Sequence, residues 1–157
     1  MKRKNKAKEA FLARLPNFLI EHKKNDFKNH LNFRFKYFDN SQQAGQDFNN
    51  WTHEQLIKLL NKLKHYCGNT IQFWQQQKIG GGKQSVLEIY DNFPRKSEFC
   101  HPRHVPFDVS WARFRLEGDM RLIGFVLPGN ECANYGISPN TFYIVFLDDK
   151  HKFYISR

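Results

Sequence analysis

Residues 111–125 read WARFRLEGDMRLIGF, and this stretch decides the fold class. Alternating side chains on either side of Glu117-Gly118-Asp119 are typical of two antiparallel strands joined by a tight turn. Trp111, Arg113 and Arg115 would then share one face of the first strand. With an odd loop centred on Gly118, Arg115 lies opposite Arg121 on that face; with an even loop, Arg121 falls on the other face. Both registers remain open from the sequence.

A shared face for these arginines would have a physical cost. Like charges directly opposite each other destabilise a sheet, so the arrangement favours a bound anion. The alternative is that the arginines are solvated partners of acidic side chains such as Glu88 or Glu117.

The rest of the chain predicts an α+β fold, with a strand, a helical hairpin and then an antiparallel β-meander. Residues 30–38 alternate as a half-buried strand with Leu31, Phe33, Phe35 and Tyr37 on one face. Thr52 and Gln55 form a capping-box pattern for a helix ending near Gly68. Thr70 can cap a second helix that ends near Lys78. We expect further strands at 86–90, 109–116, 120–127 and 141–147, a loop at 128–140, and helices packed on one face of the sheet.

Charge is concentrated at the beginning of the chain. The 157 residues carry a net charge of +10, and residues 1–36 hold 11 Lys/Arg against 3 Asp/Glu. We therefore divide the chain into a basic extension, 1–28, and an α+β domain, 29–157. We expect residues 1–9 to lack regular structure and residues 10–20 to form a helix, broken or started by Pro16, that packs on the domain. The alternative for this helix is a basic amphipathic element for nucleic acid or a membrane surface.

Composition points to a reduced, cytoplasmic environment. The three cysteines, Cys67, Cys100 and Cys132, are odd in number and irregularly spaced, which favours free thiols. No stretch has the apolar length of a signal peptide core or a membrane span. Cys100 and His101 suggest zinc ligands, but adjacent side chains point apart, so a proline-bounded loop is the better interpretation.

The segments ARFRLEGDMRLIGFV, TFYIVFLDD and His151-Lys152-Phe153-Tyr154 together resemble the RelE/ParE toxin superfamily, and its RelE/YoeB-like mRNA interferases in particular. The resemblance extends over residues 30–155 in element order and over 111–154 in motifs. The basic extension, the loop at 92–108 and the insertion at 128–140 depart from the compact family pattern.

The resemblance implies a toxin-type, ribosome-dependent endoribonuclease that cleaves mRNA by in-line attack of the ribose 2′-hydroxyl. Its partners would be mRNA, the ribosome and an antitoxin protein, and it would need no metal or cofactor. Arg121, His151 and Tyr154 would be catalytic: Arg121 would stabilise phosphoryl charge, His151 would act as acid or base, and Tyr154 would stack on a base or aid proton transfer. Binding of the RNA backbone would fall to the cations Arg113, Arg115 and Lys152.

Two other functions remain open. The chain is alternatively a non-catalytic nucleic-acid-binding or defence-associated adaptor that binds through its basic extension. The gyrase-inhibiting branch of the same superfamily is the other possibility, and it would leave RNA intact.

Overall fold

The computed structural model describes residues 5–14 and 29–155. In these ranges the predicted order of strand, two helices and strands is confirmed, and the chain is α+β. The elements are α1 Lys6–Leu12, β1 Asn32–Arg34, α2 His53–Tyr66, α3 Ile71–Gln76, β2 Leu87–Ile89, β3 Ser110–Arg115, β4 Arg121–Val126, α4 Gly129–Tyr135 and β5 Thr141–Asp148.

The five strands form one mixed sheet in the order β1-β5-β4-β3-β2. β1 runs parallel to β5, and the remaining neighbours are antiparallel. β5 lies between β1 and β4, and all eight of its residues are buried. A strand enclosed on both faces reads as a continuous apolar run, as TFYIVFL does here.

Helices α2 and α3 pack on one face of the sheet, as predicted. The capping box at Thr52 and Gln55 is present at the start of α2, and Thr70 caps α3. The Tyr66 ring stacks on Phe114 of β3 with centroids 4.5 Å apart. The Trp74 indole N–H donates to the Tyr66 carbonyl at 2.8 Å, which ties the two helices together.

Loops, rather than helices, cover much of the opposite face. We call it the arginine face and define it by Trp111, Arg113 and Arg115 of β3 with Arg121 and Phe125 of β4. Its apolar part forms a second core with side chains from the loops before β3 and after β5, including Phe99, Val105 and Phe153. Two cores on one sheet explain how 157 residues use so many aromatic side chains.

The first predicted strand is shorter than expected. Pairing with β5 stops at Arg34, and the Phe38 N–H then donates to the Phe35 carbonyl at 3.0 Å to close a turn. Phe33 packs in the core under the helices, whereas Tyr37 joins the core of the arginine face. The predicted single apolar face over 31–37 is therefore wrong beyond Arg34, because the turn redirects the chain.

The N-terminal helix also differs from its prediction. It begins at Lys6, because the Asn5 side chain caps it by accepting from the Lys8 N–H at 3.2 Å, so residues 6–9 are helical. The side chains of α1 are exposed, with Phe11 at 62%, so the expectation that this helix packs on the domain is wrong for its described part. Residues 15–20 of the predicted helix lie outside the described residues.

The predicted loop at 128–140 contains α4, which ends at Gly136 in the left-handed conformation. Pro128 precedes its first residue as the N-cap, and its side chain supplies no capping hydrogen bond. Within residues 5–14 and 29–155, no helix combines the length and the apolar character needed to cross a membrane.

Candidate functional site

The β3–β4 hairpin places its three arginines on one face. Arg115 pairs directly with Arg121, so the odd-loop register is the one present. The turn is closed by a hydrogen bond from the Met120 N–H to the Glu117 carbonyl at 3.0 Å, and Gly118 has a φ of 54°. A residue without a Cβ takes this left-handed conformation at little cost, which keeps the loop short and the register fixed.

An open cleft of about 630 Å³ lies at this end of the arginine face. Its walls come from the β3–β4 hairpin, the segment before β2 and the chain after β5. The lining residues are Gln84, Arg115, Asp119, Arg121, Lys150, His151 and Ile155. With three cations against one carboxylate, the cleft is suited to an anion.

Arg121 is the most enclosed of these cations, with 5% of its surface exposed. Its Nη1 donates to the Gly118 and Met120 carbonyls at 2.7 and 2.8 Å. Burial lowers the pKa of Arg121, and the charges of Arg115 and Arg113 lower it further. The turn thus holds the guanidinium in place. The nearby Asp119 and Asp148 carboxylates offset part of the repulsion from the other arginines, and a bound anion would offset more of it.

His151 reaches the cleft through a turn organised by Asp148. The fully buried Asp148 carboxylate accepts backbone N–H bonds from Lys150, Lys152 and Phe153 at 3.2, 3.0 and 2.9 Å. His151 itself adopts a φ of 56°, unusual for a residue with a Cβ. The buried carboxylate therefore stabilises a strained turn that directs the imidazole toward the arginines.

The imidazole of His151 contacts Arg113, through Nε2 and the guanidinium Nη1. Because a guanidinium has only donors, Nε2 is assigned as the acceptor and Nδ1 carries the proton. Burial lowers the pKa of His151, and the charges of Arg113 and Arg121 add to this effect. The histidine is consequently neutral near pH 7.

Glu88 holds Arg113 from the other side. Its Oε2 accepts from Nε and Nη2 of Arg113 at 3.0 and 2.5 Å and from the Tyr90 hydroxyl at 3.1 Å. Glu88 is also the partner of Arg113 in the β2–β3 register. From the sequence, Glu88 was expected only as an acid that neutralises an arginine. Its position between Arg113 and Tyr90 results from the β2–β3 pairing, which the sequence did not predict.

Among the described residues, the interpretation of the arginines as ion-pair partners of acids holds for Arg113, whereas Arg115 and Arg121 form hydrogen bonds to uncharged groups. Arg115 donates through Nη1 to the Gln84 side chain at 2.5 Å, and Arg121 donates to backbone carbonyls. Glu117 instead forms an ion pair with Lys58 of α2 at 3.3 Å.

Three predicted site residues, Arg113, Tyr154 and Lys152, lie beside the cleft rather than in its walls. The Tyr154 ring, 40% exposed, stacks on Tyr90 with centroids 5.1 Å apart. The Lys152 ammonium pairs with Glu98 at 3.3 Å, and Lys150 is the lysine that lines the cleft. The hairpin arginines and His151 are therefore brought together, Tyr154 is linked to them through Tyr90 and Glu88, and Lys152 is engaged elsewhere.

The described residues contain no group of three or more His, Cys, Asp or Glu side chains that could hold a metal ion. Cys67, Cys100 and Cys132 are free thiols. The Gln42 side chain bonds the backbone of Cys100 in both directions at 2.8 Å, which fixes the start of the 100–107 loop.

Fold and site together define an α+β protein with an open cationic cleft next to a neutral histidine. Comparison with protein-family models, with curated proteins and with solved structures gives no match to this chain.

Proposed function

We propose that this chain is a toxin-type endoribonuclease that cleaves mRNA in the cleft of the arginine face. The observation that carries the proposal is the direct pairing of Arg115 with Arg121 beside His151. Arginine suits phosphate because its planar fork can donate two parallel hydrogen bonds. Arg115, Arg121 and His151, three of the residues to which the family resemblance gives a role, thus line one cleft.

The reaction is in-line transfer of the scissile phosphoryl group. The 2′-oxygen forms a bond to phosphorus, the bond from phosphorus to the 5′-oxygen breaks, and the upstream fragment ends in a 2′,3′-cyclic phosphate. Arg121 and Arg115 stabilise the charge that develops on the non-bridging oxygens. A base must take the 2′-hydroxyl proton, and an acid must give a proton to the leaving 5′-oxygen.

His151 and Glu88 are the two candidates for the base. His151 is neutral and can therefore accept a proton on Nε2. For this, the Nη1–H group of Arg113 must stop donating to the imidazole and donate to the phosphate instead. Glu88 has a partly exposed carboxylate already held by Arg113 and Tyr90. A Glu88→Gln enzyme that keeps its rate while His151→Gln loses it would assign the base to His151, and the reverse result would assign it to Glu88.

Dependence on the ribosome, control by an antitoxin protein and a cytoplasmic location belong to the same proposal. They rest on the resemblance of residues 111–154 to RelE/YoeB-like interferases. Tyr154 would act in this setting by stacking on a base next to the scissile phosphate, since one face of its ring is partly exposed.

The exposed α1 favours a second candidate, a nucleic-acid-binding adaptor without catalysis. This helix places Lys6, Lys8 and Phe11 on the surface. Lysines that neutralise phosphates release counterions and give affinity without sequence preference. Deleting residues 1–28 should abolish RNA affinity in the adaptor and leave residual cleavage in the nuclease.

The test is mRNA integrity in a cell-free translation reaction with purified protein. Arg121→Ala and His151→Ala variants would be assayed beside an Arg34→Ala control, which alters an exposed arginine of β1. We expect cleavage by the wild type and the control, and loss of cleavage in the two cleft variants. Intact mRNA with folded wild-type protein would refute the nuclease.

A further inference from the structure

The loop at 100–107, which the proposed reaction does not use, presents an aromatic ring to solvent. Phe107 is 83% exposed. Its inner face stacks on the His101 imidazole, with ring centres 4.5 Å apart and planes within 8°. One face of the phenyl ring is therefore supported by a parallel ring.

The stack rests on the buried core of the arginine face. His101 stands edge-on to Trp111 at 5.4 Å and to Phe93 at 5.5 Å, and Trp111 is 1% exposed. Val105, within the same loop, is buried, and its N–H donates to the Pro102 carbonyl at 3.1 Å. The hydrogen bonds at Cys100 and the buried Val105 hold the loop, and with it the Phe107 ring, in position. Less conformational entropy is therefore lost when a ligand binds to the ring.

This stack belongs to the same face as the cationic cleft. Trp111, which supports it, alternates with Arg113 and Arg115 on β3, so Trp111 and Arg115 lie four residues, or roughly 14 Å, apart along the strand. A continuous series of aromatic contacts also runs from the stack to Tyr154, which lies beside the cleft. Its centroid distances are Tyr154–Tyr90 5.1 Å, Tyr90–Phe153 6.5 Å, Phe153–Phe93 5.3 Å, Phe93–His101 5.5 Å and His101–Phe107 4.5 Å.

We propose that Phe107 is a base-stacking subsite for single-stranded RNA whose scissile phosphate lies in the cleft. This inference deepens the proposed function and rests on it. The cleft and the Phe107 stack lie on the same side of the sheet, so one RNA strand can contact both. Proteins that bind single strands combine a cationic groove with aromatic rings that accept any base.

The chemistry of the stack favours RNA over a protein partner. A contiguous exposed apolar patch is the usual mark of a protein-binding site, whereas Phe107 is the one large apolar side chain of the described 100–107 loop that is exposed, with His101 under its inner face. A duplex, in contrast, would offer Phe107 no unstacked base.

The experiment is fluorescence anisotropy with a labelled single-stranded RNA of about 12 nucleotides, 2′-O-methylated so that it cannot be cleaved. Phe107→Ala, Phe107→Leu and Phe107→Trp would be compared with Tyr135→Ala, which removes another exposed ring, 73% accessible, from α4. We expect Phe107→Ala and Phe107→Leu to weaken binding on the order of tenfold, and Phe107→Trp and Tyr135→Ala to retain wild-type affinity. A blunt duplex of the same sequence should bind equally to all four variants.

The results separate this subsite from the cleft. If Arg121→Ala weakens binding and Phe107→Ala does not, the subsite is refuted and the proposed function stands. If Leu substitutes fully for Phe107, or if the duplex shows the same loss, the ring does not act by stacking on a base. If the wild-type protein binds no free RNA, the subsite is refuted, whereas the proposed function is decided by cleavage in the translation reaction.

Discussion

Arg115 and Arg121 face each other across the β3–β4 pair, one near the end of its strand and the other at the start of the next. Opposed like charges weaken a strand pair, yet the tight turn at Gly118 fixes this register. The Tyr66 hydroxyl donates to the Arg115 carbonyl, so the helical hairpin also holds this strand end in place. We interpret the pairing as a phosphate site whose repulsion is relieved when the anion binds.

This interpretation predicts opposite effects of Arg115→Gln on stability and on binding. Removing one of two opposed charges should raise the free energy of unfolding by about 0.5 kcal/mol and weaken RNA binding. Urea denaturation and RNA anisotropy would measure the two quantities. Arg34→Gln, at the exposed end of β1, should change neither; a loss of stability in Arg115→Gln would contradict the account.

His151 should titrate below its ordinary pKa of 6.5, because burial, Arg113 and Arg121 all disfavour its charged form. As the pH falls through 6.5, the unfolded chain binds a proton that the folded chain does not yet bind, so the free energy of unfolding falls. NMR titration of the imidazole would measure the pKa, and Arg113→Gln should raise it. A wild-type pKa at or above 6.5 would contradict the expected net effect of burial and the two arginines.

Asp148→Asn should destabilise the fold by about 2 kcal/mol or more. The buried carboxylate accepts three backbone N–H bonds, and an amide would set a donor against at least one of them. Asp149→Asn is the matched control, because its buried Oδ1 has no hydrogen-bond partner among the described residues. Chemical denaturation should therefore show a large loss for Asp148→Asn and little or none for Asp149→Asn. Equal losses would mean that the Asp148 bonds do not stabilise the turn.

Gly124→Ala should be among the most destabilising single substitutions in the sheet. A Cβ at this position would lie 2.0 Å from the Tyr143 carbonyl oxygen and 2.6 Å from the Phe142 ring, where the β4–β5 register shifts. We expect a loss of about 4 kcal/mol or failure to fold, whereas Gly129→Ala, which meets nothing within 4 Å, should be tolerated. A soluble Gly124→Ala protein of wild-type thermal stability would disprove this packing.

The sequence predicted what depends on local pattern. Alternation located β2 to β5 to within about two residues, and the capping box at Thr52 located α2. It missed α4, whose seven residues are polar or small and have no strong apolar period. The strand at 30–38 was predicted too long because the turn after Phe35 depends on a distant bond, from the Asp39 N–H to the Val145 carbonyl at 2.8 Å.

The candidate site was less accessible to sequence reasoning, since it depends on pairing between strands. The sequence left two registers open for Arg121, and only the paired hairpin selects one. Glu88 forms an ion pair with Arg113, which lies 25 residues later in the chain, and Lys152 forms an ion pair with Glu98 instead of lining the cleft. The strained turn at His151 depends on Asp148, and no sequence pattern indicates that this carboxylate is buried and accepts backbone hydrogen bonds.

The most direct test of the central claim is identification of the RNA ends made by the purified protein on a defined mRNA with ribosomes. We predict an upstream fragment that ends in a 2′,3′-cyclic phosphate, and no cleavage where the nucleotide before the scissile phosphate is 2′-deoxy. Cleavage that persists at a 2′-deoxy position would contradict attack by the 2′-hydroxyl. RNA that stays intact with folded protein would contradict the nuclease itself.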